Sequence, residues 1–264
     1  MSRLAEALHR AREAGRLALI PYLTAGDPDA QTTRDIVLML DEEGADIIEL
    51  GVPFSDPLAD GITNQRAAER ALAGGMTLAG TLELVSEIRS ASPVPLMLFT
   101  YFNPIYAMGV ESFAKSASVA GIDGVLVTDL PPEEAEDYRE ILLDAGIDPV
   151  FMLSPTSGPE RVRLVAEKTR GFIYYVCRTG VTGAQEALPD HLREDVARLR
   201  LTTGHPVAAG FGLSRPEHLE ALAGAADAAV VGSALVRLIG AAESRAAAVE
   251  AVRAFVRRLQ GGSA

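Results

Sequence analysis

A short phrase recurs along this chain. It reads Gly44-Ala45-Asp46, Gly121-Ile122-Asp123 and Gly146-Ile147-Asp148, with Gly224 and Asp227 as a looser copy. Each copy closes a stretch with helical spacing and opens a short apolar run. A glycine just past a helix end takes the left-handed conformation that terminates the helix. Each copy therefore marks a return from helix to strand. Strands separated by whole helices pair in parallel through right-handed crossovers, which restricts the chain to parallel α/β folds.

Eight apolar runs carry this rhythm: 17–23, 46–50, 95–101, 123–128, 148–153, 171–176, 206–210 and 227–231. Helical spacing lies between them, as in Ile36, Val37 and Leu40, or in Ile141 and Leu142 ahead of Gly146. Eight strands, each followed by a helix, predict a (β/α)8 barrel, and roughly 250 residues is the usual size of such a barrel as one domain. The rival is an open doubly wound sheet, which would favour a Gly-x-Gly-x-x-Gly turn after the first strand. The sequence there is Thr24-Ala25-Gly26-Asp27. Residues 2–14, with Leu4, Leu8 and Ala11 at helical spacing, precede the first strand and are expected to plug the barrel bottom. No linker or low-complexity stretch suggests a second domain, so 1–264 reads as a single barrel.

Charge and cysteine content narrow the partners. The net charge is −12 and the only lysines are Lys115 and Lys168. Nucleic acid and anionic membrane surfaces need clustered cations and are poor partners. An anionic substrate remains open if backbone N–H groups or a helix N-terminus receive it. Residues 1–14 have neither the apolar core nor the cleavage pattern of a signal peptide. The single cysteine, Cys177, rules out an intramolecular disulfide, and a cytoplasmic protein is expected.

In a barrel the chemistry sits at the C-terminal ends of the strands, and the unusual residues can be tested against that rule. Glu49 interrupts an apolar strand between Ile48 and Leu50. A carboxylate there is either paired structurally or kept for proton transfer, because isolated burial of charge is expensive. Alternation puts it on the face of Ile47, toward the barrel mouth. The long loop that follows, 51–62, carries Asp56 and Asp60. Asp60-Gly61 alone reads as a turn pair; next to Glu49, it completes a plausible acid/base pair. Of Tyr174 and Tyr175, alternation turns one inward, either as core or as a hydroxyl near the reacting centre. Three glycine clusters end the last strands: Gly180-Val181-Thr182-Gly183, Gly210-Phe211-Gly212 and Gly232-Ser233. Ser233 alone could be an N-cap. In this register, however, the clusters match the phosphate cradle that barrels build from loops seven and eight and a helix N-terminus.

What is missing is also informative. A Schiff-base aldolase needs a lysine at a strand end, but Lys115 and Lys168 fall in predicted helices. His9, His191, His205 and His218 are scattered without ligand spacing, and no metal or organic cofactor is expected. No Gly-x-Ser-x-Gly elbow occurs. The remaining chemistry is carboxylate acid/base catalysis on a phosphorylated, largely apolar substrate.

The stretch ELGVPFSDPLADG at 49–61 strongly resembles the signature of the tryptophan synthase α family. The resemblance continues through PYLTAGDP at 21–28, VLVTDLP at 125–131, CRTGVTG at 177–183, GFG at 210–212 and VVGSALV at 230–236. It implies a lyase that splits indole-3-glycerol phosphate into indole and glyceraldehyde 3-phosphate by a cofactor-free retro-aldol reaction. Carried over by position, Glu49 would be the acid/base, Asp60 would engage the indole N–H, and Tyr174 would stand close to the reacting centre. Tyr22, Phe99, Leu126, Met152 and Phe211 would line the indole pocket. Gly183, Gly212, Gly232 and Ser233 would hold the phosphate. Thr182 would lie in a loop that closes over the substrate. The resemblance also implies an α2β2 complex with a pyridoxal-phosphate β subunit, with Pro53, Asp56 and Asn103 at or near the interface.

Some positions depart from that pattern. Where the family usually has Pro-Thr-Ile-Gln after Asp60-Gly61, this chain has Ile62-Thr63-Asn64-Gln65. Ile62 frees a backbone angle that proline would fix, and Asn64 puts an amide where an apolar contact is expected. Tyr22 replaces a common phenylalanine and Thr128 a small apolar residue. Three other readings follow: a free-standing indole-releasing lyase, a non-catalytic paralogue acting as a regulatory subunit, and another phosphate-binding barrel enzyme. The last, as an indole-glycerol-phosphate synthase, would need a strand-end lysine that this chain lacks.

Overall fold

The computed structural model describes residues 1–176, 191–210 and 212–261. Among them are nine strands: β1 Ala18–Thr24, β2 Ile48–Gly51, β3 Leu96–Thr100, β4 Gly124–Val127, β5 Asp148–Val150, β6 Met152–Leu153, β7 Ile173–Val176, β8 Val207–Gly210 and β9 Ala228–Val231. The helices are α1 Arg3–Glu13, α2 Ala30–Glu42, α3 Ile62–Ala73, α4 Leu78–Arg89, α5 Phe102–Met108, α6 Val110–Ala120, α7 Glu136–Asp144, α8 Pro159–Lys168, α9 Leu192–Thr203, α10 Pro216–Leu222, α11 Ser233–Ala241 and α12 Arg245–Leu259. A single 3-10 turn, Pro132–Glu134, precedes α7.

All strand pairs are parallel, in the order β5-β4-β3-β2-β1-β9-β8-β7-β6. The two ends of this order are consecutive in the chain, separated only by Phe151, so the sheet closes on itself through 148–153. The eight expected strands become nine because the fifth changes partner. Asp148–Val150 pairs with β4, and Met152–Leu153 pairs with β7. At the break the Phe151 N–H leaves the ladder and donates to the Thr169 hydroxyl at 3.1 Å. That interruption corrects the uniform strand expected over 148–153.

Alternation sorts the side chains into two cores. From β1, Ala18, Ile20 and Tyr22 point into the barrel, while Leu19 and Leu23 meet the surrounding helices. α1 fills the bottom of the barrel: its Leu4, Ala7, Leu8 and Ala11 are fully buried in the interior cluster. The fit is tight enough to require glycine at 124, where a Cβ would come within 2.5 Å of Leu4 Cδ1.

The recurring glycine–aspartate phrase has a structural meaning at this same end. Gly44, Gly121, Gly146 and Gly224 all adopt positive φ, between 77° and 92°, as a helix-closing glycine must. Three of the four aspartates then tie neighbouring strands together, while Asp148, fully buried, is met instead by Arg170 at 3.1 Å. Asp46 accepts from the Leu19 N–H at 2.9 Å, Asp123 from Leu96 at 2.8 Å and Asp227 from Val207 at 3.0 Å. Each carboxylate thus satisfies a donor at the start of an adjacent strand, where the ladder has no partner to offer. No helix among the described residues is long and apolar enough to cross a membrane.

Candidate active site

Glu49 lies in β2, opposite Tyr22 of β1 and Met97 of β3. Its neighbours Ile48 and Leu50 belong to the outer core and Ile47 to the inner one, so Glu49 faces the barrel axis as alternation predicts. It is fully buried, and among the described residues neither carboxylate oxygen has a hydrogen-bond partner. Burial, and then the charge of Asp60, pushes its pKa up to about 8.

Asp60 ends the loop after β2, immediately before Gly61 caps α3. It is buried, but it is well held. The Tyr101 hydroxyl donates to Oδ2 at 2.8 Å, the Asn64 amide reaches Oδ1 at 3.5 Å, and the Gln65 side chain binds the Asp60 carbonyl at 2.8 Å. Burial raises the Asp60 pKa, and the bonds from Tyr101 and Asn64 oppose that rise. Glu49 has no such donors, so of the two carboxyls Glu49 is the one that burial pushes furthest toward its protonated form.

The two carboxyls share one cavity with Tyr22, Asn64, Phe99, Tyr174, Gly212, Val230, Gly232 and Ser233. It brings together residues from β1, β2, β3, β7 and β9 and the start of α11, all at the C-terminal side of the barrel. Tyr22 packs edge-on against Phe99 with ring centroids 5.6 Å apart. The backbone makes room for both tyrosines with glycine: a Cβ at Gly51 would collide with the Tyr22 hydroxyl and one at Gly210 with that of Tyr174. Tyr174 is the inward member of its pair, and Tyr175 packs in the outer core.

Leu126 belongs to the inner core, with Met152 packed against it, but neither lines the cavity wall. Gly232 caps α11, and Ser233 is its first helical residue rather than the N-cap. Both residues line the cavity, so the N-terminal end of α11, the positive end of its dipole, opens at it. Thr182, Gly183 and Phe211, like Cys177, Gly180 and Val181, lie outside the described residues. Asp56 and Asn103 are exposed, whereas Pro53 is buried.

Lys115 lies in α6 and Lys168 ends α8. Among the described residues no group of three or more His, Cys, Asp or Glu side chains is placed to hold a metal ion. A larger groove of about 720 Å³ runs outside the barrel between α8 and α9 and contains neither Glu49 nor Asp60.

Tyr101 is the functional residue that sequence reasoning missed. It closes the third apolar run, which reads as strand throughout, whereas β3 ends at Thr100 and Tyr101 turns its hydroxyl to Asp60. It also accepts the Ala59 N–H at 3.0 Å, pinning the loop before the acid. The available signal was its position: an aromatic with a polar tip at the C-terminal end of a barrel strand.

Known proteins match along nearly the whole chain. The model of the tryptophan synthase alpha chain family matches residues 8–263. The tryptophan synthase alpha chain of Geobacter sp. (strain M21) is 51% identical over 237 residues, covering 90% of this chain and 89% of the relative. That of Dechloromonas aromatica is 49% identical over 98% of this chain and 97% of its own. A solved structure of the tryptophan synthase α2β2 complex of Pyrococcus furiosus contains a chain that superposes with a TM-score of 0.87 at 44% identity, covering 92% of this chain and 98% of that one. The chain belongs to the tryptophan synthase alpha chain family, the lyases that cleave indole-3-glycerol phosphate in tryptophan biosynthesis.

Proposed function

We propose that Glu49 and Asp60 carry the cleavage as a pair holding one proton. The observation behind this is the buried, unpartnered Glu49 carboxyl facing a cavity it shares with a well-held Asp60. Protonated Glu49 delivers its proton to indole carbon C3. Asp60, ionised, accepts the ring N–H and stabilises the positive charge that develops there. Glu49, now a carboxylate, takes the proton of the C3′ hydroxyl. The C3–C3′ electron pair returns to the ring, giving indole and the aldehyde of glyceraldehyde 3-phosphate, with Glu49 protonated again. Environments that separate two carboxyl pKa values assign such roles.

Tyr22 and Phe99 supply apolar walls for the ring, Leu126 and Met152 back them from the inner core, and Phe211 matches a further pocket position of the family. Tyr174 stands by the reacting centre. Gly212, Gly232 and Ser233, with Gly183, receive the phosphate against the α11 N-terminus. Thr182 matches the family's loop that closes over the substrate, a closure that would exclude water.

The partner is a tryptophan synthase β subunit in an α2β2 assembly. Exposed Leu58, Ile62 and Tyr106 support a docking rim, since they lie in the loop after β2, at the start of α3 and in α5, on the active-site side of the barrel. The single cysteine suits a reducing, cytoplasmic setting.

The test is indole release from indole-3-glycerol phosphate by the purified chain, alone and with a β subunit. The wild type is expected to release indole slowly alone and faster with the partner. Glu49→Gln should lower kcat by about 100-fold or more, the usual scale of lost acid/base catalysis, without a fall in Tm. Retention of most activity in that variant would reject the assignment.

A further inference from the structure

Asn64 is the polar wall residue that the two-carboxylate scheme leaves without a task. It is the third residue of α3, one turn beyond Asp60, and it lines the cavity with Glu49 and Tyr22. Its Nδ2 stands 3.5 Å from Asp60 Oδ1, on the side of the carboxylate opposite Tyr101. Its own Oδ1 is buried and has no partner among the described residues. A bare buried acceptor is costly to stability, so an apolar side chain would serve packing better here. An amide at this position makes sense only through what it does for the site.

We propose that Asn64 is a positioning residue for Asp60, its amide fixing Oδ1 as the Tyr101 hydroxyl fixes Oδ2, so that the carboxylate keeps one rotamer with its remaining lone pairs turned to the substrate N–H. Gln65 holds the Asp60 backbone by the same helix turn, so α3 supplies two of the three groups that orient the acid. At 3.5 Å the Asn64 bond is long in this state and tightens when a ligand fills the cavity. The titratable groups facing Asp60 are Glu49 from β2, Tyr22 from β1 and Tyr101 from the end of β3, with Tyr174 across the cavity on β7.

This inference rests on the lyase reading above, and its test separates the two. The pH profile of kcat/KM for indole-3-glycerol phosphate cleavage is measured for the full chain saturated with a β subunit. The variants are Asn64→Leu, close in shape but without a donor, and Asn64→Gln, which keeps the amide. Loss of a donor to a carboxylate disfavours its ionised form. Asn64→Leu should therefore move the acid limb to higher pH by about half a unit or more and lower kcat about threefold to tenfold, with KM within twofold and Tm not reduced. Asn64→Gln should restore part of both the limb and kcat. An Asn64→Leu profile that overlays the wild type would overturn the proposal. So would equal losses in the Leu and Gln variants accompanied by a fall in Tm, which is the pattern of a purely structural residue. Absence of indole release by the wild type would instead strike the lyase reading itself.

Discussion

Asp46 and Glu49 stand three residues apart, one on the turn that leads into β2 and the other inside it, and the barrel treats them in opposite ways. At the N-terminal end, Asp46 takes the Leu19 N–H and a two-point ion pair from Arg16 at 2.6 and 2.7 Å. Asp123 is bound likewise by Leu96, Arg3 and Arg89. At the C-terminal end, Glu49 is more deeply buried and receives nothing from the described residues. A folded chain leaves a buried carboxyl unsatisfied only where something other than stability keeps it there. The lesson lies in what meets a buried carboxyl: at the floor even fully buried Asp148 has the Arg170 guanidinium 3.1 Å away, whereas among the described residues no cation and no donor reaches Glu49.

The largest expected effect breaks the comparison by swapping what each end loses. Asp123→Ala removes an acceptor from a backbone donor and from partly buried Arg89, which should destabilise by about 1–3 kcal/mol. In a chain of this length that lowers Tm by roughly 3–10 °C. Indole release per folded molecule should stay near wild type. Glu49→Gln should do the reverse, as set out above. Thermal melts and indole assays on both variants form a two-by-two test. A Glu49 variant that loses stability while an Asp123 variant loses only turnover would refute the division between the ends.

How much of this division was legible in the sequence varies with the distance over which each contact acts. The helix-closing glycines were legible because a positive φ after a helix is a local demand, met by Gly44, Gly121 and Gly146 in the same way. Glu49 was legible because a carboxyl inside an apolar run is odd wherever the run goes. The tasks of the aspartates were not, since Asp123 meets the Leu96 N–H across 27 residues of chain. The break at Phe151 depends on a hydroxyl 18 residues away, and the grip of Tyr101 on Asp60 spans 41. Asn64 stood out as a departure from the family pattern, but only its place on the first turn of α3 shows which carboxylate it meets. Periodicity carries the elements; it does not carry the long-range bonds that assign side chains to work.

A second effect, smaller per pH unit, sharpens the contrast through linkage. The Glu49 pKa is raised to about 8 from an ordinary 4.5, so between those values the folded state holds a proton that the unfolded state has released. The stabilisation it gives is complete below about pH 4.5, declines as pH rises through the interval and is gone above about 8. Wild-type stability relative to Glu49→Gln should therefore fall from pH 5 to pH 8 and level off above, with a slope of at most about 1.4 kcal/mol per pH unit. Urea midpoints at five pH values would measure it. A flat difference across that range would mean Glu49 ionises freely in the folded chain, and its proton would no longer be available for the ring carbon.

The smallest effect tests whether the N-terminal end is stabilised by its ion pairs or by its backbone bonds. Arg16 reaches Asp46 with good geometry, but its side chain is 49% exposed, whereas that of Asp46 is 7% exposed. An exposed partner gains little over water, so Arg16→Ala should cost no more than about 1 kcal/mol. Asp46→Ala also abandons the Leu19 N–H at the start of β1, and should cost more. Adding salt should shrink the Arg16 effect and leave most of the Asp46 effect, because screening acts on the exposed pair and hardly on the buried bond. If the two variants were equal, and equally sensitive to salt, the recurring aspartate would be an anchor for surface arginines. If the buried bond dominates, the aspartate ties one strand to the next. Repetition of that bond around the barrel floor, at Asp46, Asp123 and Asp227, would then be what lets the opposite end leave Glu49 unpaired.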